Sequence, residues 1–243
     1  MRKIKKIDFK SQIPNFITLA GLSFGLSSIR FSLDYNFEVS VICLLLASAC
    51  DALDGFFSRI LKSESELGAE LDSLADFLSF AVAPCILIYM SLINQNEVIG
   101  SIALLLFVVF SCIRLAAFNL NKDNSEDKSN FFSGVPTPAG CGLLILPLVQ
   151  SFLGFDWAKE NEIFLSIYIL IIGLLLISNL PTFSSKQFKI KISRKNYIYF
   201  SLFFFLIYLS LINFLWIAIN VIGIMYLLSI PISVWAYKTK KLV

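Results

Sequence analysis

Residues 50–80 read CDALDGFFSRILKSESELGAELDSLADFLSF, and they place acidic side chains inside two long apolar runs. The acidic positions within the runs are Asp51, Asp54, Asp72 and Asp76. A carboxylate at membrane depth costs at least about 2.5–3.5 kcal/mol on insertion scales, so four together need compensation from partners, water or metal. We therefore expect a functional site between two membrane-spanning helices in this part of the chain.

The composition of the whole chain supports a membrane location. Of its 243 residues, 57% are hydrophobic and 15% charged, and the mean hydropathy is +0.79. A soluble domain has about 45–50% apolar and about 25% charged residues, so soluble, disordered and nucleic-acid-binding classes fit poorly. The sequence contains no His, which excludes an imidazole base and a Ser-His-Asp triad. Its five Cys are dispersed without a CxxC pair, unlike a disulfide framework.

Eight apolar runs are each long enough to cross a hydrocarbon core of about 30 Å. They lie at 13–32, 38–61, 67–93, 98–120, 136–154, 162–180, 196–213 and 215–237, and the last two could also form one broken span. With the N-terminus inside, all of the 20 Lys and Arg residues except Arg30 and Lys159 fall on the cytoplasmic side. This bias predicts an all-helical, polytopic membrane bundle of about eight transmembrane helices with both termini cytoplasmic.

The spacing of the four aspartates predicts where their carboxylates point. Asp51 and Asp54 share a helix face at i,i+3, and Asp72 and Asp76 share another at i,i+4. The turn at about 62–66 makes the two helices antiparallel neighbours, with Asp54 level with Asp72 and the other two one turn deeper. The sequence therefore predicts a pocket of four carboxylates that opens toward the cytoplasm.

A pocket of this kind suits metal ions. All-oxygen ligand sets select hard divalent cations such as Mg²⁺, Mn²⁺ or Ca²⁺, and four bridging carboxylates suit two ions about 3.5–4 Å apart. Beside them, Gly55 and Gly68 let a ligand approach the backbone, and Arg59 can present its guanidinium to a phosphate. Intramembrane acids are also typical of ion-coupled transporters, and that alternative stays open at this point.

The same residues resemble the signature of the CDP-alcohol phosphatidyltransferase family. Its pattern, D-x2-D-G-x2-A-R-x8-G-x3-D-x3-D, is matched at every spacing from Asp51 to Asp76, and Ser58 is the one departure, where Ala is usual. Further segments resemble the phosphatidylserine synthase branch of the family, at 70–84, 114–119, 132–139 and 178–186. Within them, Ala117 stands where that branch usually has Arg.

The likeness runs from Ile13 to about Lys186 and then fades into generic apolar sequence. We therefore divide the chain into a basic cytoplasmic N-terminus (1–12), a catalytic membrane domain (13–186) and an additional C-terminal transmembrane hairpin with a basic tail (187–243). The N-terminus is not followed by the short apolar core and small-residue cleavage site of a signal peptide, so we expect it to be retained.

The resemblance implies roles for the signature residues. The four aspartates would hold divalent metal, Mg²⁺ or Mn²⁺ and two ions, and Asp76 would also take the proton from the acceptor hydroxyl. The cytidine diphosphate part of a CDP-lipid would be cradled by Gly55, Ser58, Arg59 and Gly68. The implied reaction is attack by the L-serine hydroxyl on CDP-diacylglycerol, giving phosphatidylserine and CMP in phospholipid biosynthesis.

A serine acceptor carries a carboxylate, so its site should hold a cation beyond the metal pocket. The candidates are Arg114, Asn119 and Lys186, although positive-inside snorkelling also explains the two cations. Other acceptors, namely glycerol phosphate, inositol phosphate or choline, stay open as alternatives. We further expect a homodimer in the cytoplasmic membrane, with the active site facing the cytoplasm, membrane lipids around it and no nucleic acid as partner.

Overall fold

The computed structural model describes residues 9–61, 65–93, 98–122, 131–178, 180–183 and 214–240. These residues form helices, one π-helical turn and one pair of short strands. In chain order the elements are α1 (Phe9–Leu33), α2 (Phe37–Leu61), α3 (Glu66–Phe77), the π-helical turn (Leu78–Val82), α4 (Ala83–Leu92), α5 (Val98–Lys122), β1 (Phe131–Ser133), α6 (Thr137–Leu144), α7 (Leu146–Phe152), α8 (Trp157–Glu160), α9 (Glu162–Ile177), β2 (Pro181–Phe183) and α10 (Leu215–Lys240).

Within this described part, five helical segments are long and apolar enough to cross a membrane. They are Gln12–Leu33, Phe37–Leu61, Leu67–Leu92, Val98–Leu120 and Leu215–Trp235, and the third is continuous through α3, the π-helical turn and α4. Two shorter apolar segments are Thr137–Phe152 and Glu162–Ile177. The chain is thus a multi-pass, helical membrane protein, as predicted. The apolar run at 196–213 lies outside the described residues, so the count of eight spans stays a prediction.

The predicted run at 136–154 is interrupted in the structure between α6 and α7. Pro147 lacks an N–H, and its ring excludes the carbonyl of Leu143, four residues earlier, from a regular helical hydrogen bond. That carbonyl instead accepts a hydrogen bond from the Tyr168 hydroxyl at 2.7 Å. The Leu143 carbonyl therefore keeps a hydrogen-bond partner despite the break, and this hydrogen bond connects α6 to α9.

Helices α1 and α2 form a hairpin. Buried serine hydroxyls meet at the interface between these two mainly apolar helices. The hydroxyl of Ser40, on α2, lies 2.8 Å from the hydroxyls of both Ser28 and Ser32 on α1. All three serines are fully buried. Hydroxyl pairs of this kind hold helices together where the surrounding lipid offers no hydrogen-bond partner.

The apolar core lies beside the site, among α2, the π-helical turn, α4, α5, α6, α7 and α9. Its largest fully buried side chains include Phe80, Phe107, Leu87, Leu144 and Ile169. On the outer faces of α5, α9 and α10, by contrast, large apolar side chains are exposed. Lipid tails are as apolar as these side chains, so such exposure carries no penalty in a membrane.

Helix α1 is the principal partner of both acid-bearing helices, α2 and α3. The predicted approach of α2 and α3 is observed at their acidic residues, and α1 packs against both helices. Two glycines on α1 permit this approach: a Cβ on Gly21 would lie 3.1 Å from Cys50 Cβ, and one on Gly25 would lie 2.9 Å from Ser79 Cβ. The acidic side chains of α2 and α3 consequently line the same cavity.

A two-stranded antiparallel sheet, which the sequence did not predict, joins two connecting segments. Strand β1, before α6, pairs with β2, after α9, and Phe132 stands opposite Thr182. The Gly134 N–H extends the pairing by donating to the Leu180 carbonyl at 2.8 Å. Since β2 also packs on α10, the sheet connects the segments before α6 and after α9 to that helix.

Candidate active site and metal centre

The side chains of the four aspartates line one small cavity that is open to the outside. Helix α2 supplies Asp51 and Asp54, and α3 supplies Asp72 and Asp76. The remaining lining residues come from α1, α2, α3 and the π-helical turn: Thr18, Gly21, Ala47, Ala75, Ser79 and Phe80. The i,i+3 and i,i+4 spacings therefore place all four acids around the same space.

Three of the four carboxylates lie close enough to share an ion. One oxygen from each of Asp51, Asp72 and Asp76 lies within 4.8 Å of the others. Two oxygens of one octahedral Mg²⁺ shell lie up to about 4.2 Å apart, and Ca²⁺ allows slightly more. The three side chains are partly buried and all are oxygen donors. This donor set fits a hard divalent cation.

Asp54 lines the same cavity but lies outside that group of three. It is 6% exposed, and its Oδ2 accepts a hydrogen bond from the Thr18 hydroxyl at 2.5 Å. The same hydroxyl lies 3.1 Å from the Pro14 carbonyl, so Thr18 can turn between two acceptors. The carboxylate of Asp54 is thereby positioned by α1. Sequence reasoning missed this role for Thr18, although Asn15 and Thr18 stand out as polar residues near the start of an apolar run.

The predicted phosphate-binding group lies along the last turns of α2. Arg59 Nε donates to the Gly55 carbonyl at 2.7 Å, and the Ser58 hydroxyl donates to the same carbonyl at 3.2 Å. The guanidinium of Arg59 is exposed and folds back over its own helix. A guanidinium carries five N–H donors, so this bond leaves most of them for an anionic ligand.

Gly68 lies at a close contact between α3 and α1. Its N–H donates to the hydroxyl of Ser65, the N-cap of α3, at 3.0 Å. A Cβ at this position would lie 2.9 Å from Asn15 Oδ1 and 3.0 Å from Ser65 Oγ. The glycine thus lets the first turn of α3 approach the buried Asn15.

Gly68→Ala is expected to destabilise the protein by about 1–3 kcal/mol, because the added methyl group overpacks a buried contact. Thermal unfolding in detergent measures the effect as a lowered midpoint. Gly142→Ala is the matched control, since a Cβ there would meet nothing within 4 Å. Its midpoint should stay unchanged or rise, because Ala favours the helix over Gly. Equal midpoints for the two variants would contradict a tight contact at Gly68.

Neither Arg114 nor Asn119, which are predicted to hold the acceptor, is among the described residues that line the cavity. Arg114 is partly buried on α5, and its Nη1 lies 3.3 Å from the position that a Cβ would take on Gly134. Asn119, also on α5, donates through Nδ2 to the Ser73 hydroxyl at 2.9 Å and so ties α5 to α3 beside the acidic face. Lys186 lies outside the described residues.

Comparisons with known proteins agree on one family. The model of the CDP-alcohol phosphatidyltransferase family matches residues 11–182. The chain is 37% identical to the Mycobacterium leprae CDP-diacylglycerol–serine O-phosphatidyltransferase over 70% of this chain and 57% of that protein. It is 33% identical to the Helicobacter pylori protein of the same name over 79% of this chain and 81% of that protein.

Among solved structures, the chain is similar to Mycobacterium tuberculosis phosphatidylinositol phosphate synthase in complex with manganese and citrate. The TM-score is 0.48 and the identity 16%, over 70% of this chain and 78% of that chain. The chain spans only 57% of the length of the Mycobacterium leprae relative.

Proposed function

Because the chain belongs to the CDP-alcohol phosphatidyltransferase family, we propose that it transfers the phosphatidyl group of CDP-diacylglycerol to L-serine. The products are phosphatidylserine and CMP, and the reaction is a step of phospholipid biosynthesis. The observation that carries the proposal is the convergence of Asp51, Asp72 and Asp76 within 4.8 Å, at the spacing that the family signature requires. The names of the relatives support serine as the acceptor.

We propose that the four aspartates hold two divalent ions, Mg²⁺ or Mn²⁺. Bound there, the ions neutralise the pyrophosphate and stabilise the departing phosphate. Asp51, Asp72 and Asp76 supply the close oxygen donors, and Asp54 adds a carboxylate that Thr18 holds in place. Among the described residues, no basic side chain lines the cavity, so a metal cation is a suitable partner for the four carboxylates.

In this proposal Asp76 is the general base. The serine hydroxyl oxygen forms a bond to the lipid-side phosphorus, the bond from that phosphorus to the CMP oxygen breaks, and the hydroxyl proton passes to an Asp76 carboxylate oxygen. An alcohol is a poor nucleophile at neutral pH, and without His a carboxylate is the base that the cavity offers.

The cytidine diphosphate is held, in the same proposal, by the end of α2 and the start of α3. Gly55 keeps the backbone open to the ligand, and Ser58 is the small residue between Gly55 and Arg59. Gly68 contributes by letting the first turn of α3 pack closely on α1. The guanidinium of Arg59 already lies over the Gly55 carbonyl, so it can contact a phosphate that approaches the same turn.

The acceptor carboxylate is assigned to Arg114, with Asn119 and Lys186 as further polar contacts. The partial burial of Arg114 on α5 supports this assignment, because a half-desolvated guanidinium favours an anionic partner. Asn119 supports it through its hydrogen bond to Ser73, next to Asp72.

If Arg114 binds the serine carboxylate, Arg114→Lys should raise the KM for serine by roughly 10- to 150-fold. A point charge cannot replace a bidentate fork, and a charge-assisted hydrogen bond of about 1.5–3 kcal/mol is lost. Initial rates with varied serine measure this. The KM for CDP-diacylglycerol should hardly change. Arg30→Lys is the control, since Arg30 is exposed and paired with Asp34 at 3.8 Å. A raised KM for CDP-diacylglycerol alone would instead assign Arg114 to the phosphates.

We also propose eight spans with both termini in the cytoplasm, a homodimer, and residence in the cytoplasmic membrane with the active site on its inner side. Single cysteines introduced at Ser63 and at Lys241, in a cysteine-free background, should both react with an impermeant thiol reagent only after the membrane is opened. Labelling of the two positions from opposite sides would contradict the span count.

The direct test of the function uses purified protein, CDP-diacylglycerol, Mg²⁺ or Mn²⁺, and a panel of alcohols, with CMP release as the readout. Serine should give the fastest release. Faster release with glycerol phosphate, inositol phosphate or choline would keep the chemistry and change the acceptor. Absence of CMP release with every alcohol would overturn the proposal.

A further inference from the structure

Ser79 is a buried polar residue for which the signature gives no role. It is 2% exposed, and its hydroxyl has no hydrogen-bond partner among the described residues. It also lines the cavity that holds the four aspartates. A buried hydroxyl without a partner is unfavourable, so such a group at a cavity wall points to a ligand that completes it.

Several other serines in the helices of this protein donate their hydroxyls to a carbonyl of the same helix. Ser32, Ser91 and Ser166 each donate to the carbonyl four residues earlier, at 2.7–2.8 Å. Ser79 does not, and it lies in the π-helical turn, where the Ala83 N–H bonds back five residues to the Leu78 carbonyl. π-helical turns occur frequently at functional sites. The local widening of the helix therefore accompanies a hydroxyl that has no hydrogen-bond partner among the described residues.

The position of Ser79 is fixed by α1, where Gly25 lies closest to the Ser79 Oγ. A Cβ on Gly25 would lie 2.9 Å from Ser79 Cβ and 3.0 Å from its Cα, so the two backbones are in close contact. Ser79 also follows Asp76 by three residues, which places both on the same side of the helix. A rigidly held hydroxyl beside the proposed base is suited to orient a small polar substrate.

We propose that Ser79 binds the acceptor alcohol, through a hydrogen bond between its hydroxyl and the hydroxyl-bearing end of that molecule. The proposal rests on the function proposed above, since it assigns a substrate contact within that same site. The acceptor must place its hydroxyl next to Asp76, and Ser79 is the polar residue of the turn after Asp76 that lines the cavity.

Ser79→Ala tests the proposal, with Ser111→Ala as a matched control. Ser111 is likewise fully buried on a spanning helix and has no partner for its hydroxyl among the described residues, but it does not line the cavity. Ser79→Ala should raise the KM for the acceptor by about 5- to 12-fold, which corresponds to one neutral hydrogen bond. The KM for CDP-diacylglycerol should stay within about twofold. Ser111→Ala should leave both values unchanged.

Two further measurements separate a substrate contact from a structural role. The thermal midpoint of Ser79→Ala should not fall below that of Ser111→Ala, because neither change removes an existing hydrogen bond. Ser79→Cys, which keeps a weak donor, should give an acceptor KM between those of the wild type and Ser79→Ala.

The possible results distinguish failure of the Ser79 assignment from failure of the proposed function. An acceptor KM for Ser79→Ala equal to that for Ser111→Ala would overturn the assignment, and so would a rise confined to CDP-diacylglycerol. In both cases the wild type still releases CMP, so the proposed function stands. If the wild type releases no CMP with any alcohol, the function and the Ser79 assignment are overturned together.

Discussion

Asp51→Asn is expected to lower CMP release by at least about a thousandfold. Loss of a partner that only orients a metal ligand typically costs 10- to 100-fold, and loss of a ligand itself should cost more. Asp51 also contributes an oxygen to the group that lies within 4.8 Å, so one change weakens a shared cluster. The amide of Asn keeps the size of the side chain but removes its charge.

Initial rates of CMP release at saturating CDP-diacylglycerol and serine measure the loss, and binding of Mn²⁺ to the purified protein gives a second readout. Glu70→Gln is the control, because Glu70 is an exposed acid on α3 only two residues before Asp72. It should retain near-normal turnover. A chelator should abolish CMP release by the wild type, and added Mg²⁺ or Mn²⁺ should restore CMP release. Full activity of the wild type in excess chelator would contradict the metal centre.

Asp76→Asn is expected to lower kcat by about 10²- to 10⁴-fold, the usual contribution of a general base, with little change in the KM for CDP-diacylglycerol. An amide is nearly isosteric with the carboxylate but does not accept the hydroxyl proton. Steady-state rates with each substrate varied in turn separate the two constants, and Glu70→Gln again serves as the control. Near-normal kcat in Asp76→Asn would assign the base to another group.

The arrangement of the four aspartates was predictable because it depends on local geometry. Spacings of three and four residues fix a helix face, and one short turn between two apolar runs brings two such faces together. The same residues carried the family resemblance, which the family match confirms. The positions of the long helices followed from the apolar runs, whereas the break near Pro147 was not predicted, although the chemistry of proline explains it.

The contribution of α1 to the site was not predictable in this way. Thr18 contacts Asp54 across 36 positions of sequence, and Gly25 contacts Ser79 across a still longer interval. Such contacts depend on how helices rotate and approach one another, which a single hydropathy pattern does not specify. The strands β1 and β2 are only three residues long, too short for an alternating pattern to be detected.

The polar contacts of the α1–α2 hairpin have a consequence for how the protein is made. Ser28, Ser32 and Ser40 bond to one another, and Thr18 bonds to Asp54, so each of these pairings is complete within the first two spans. During synthesis these helices enter the bilayer before α3 exists. The α1–α2 hairpin can therefore enter the bilayer as a paired unit in which Asp54 is already hydrogen-bonded to Thr18. Helix α3, which carries the other two acids, then packs against helices whose polar contacts have already formed.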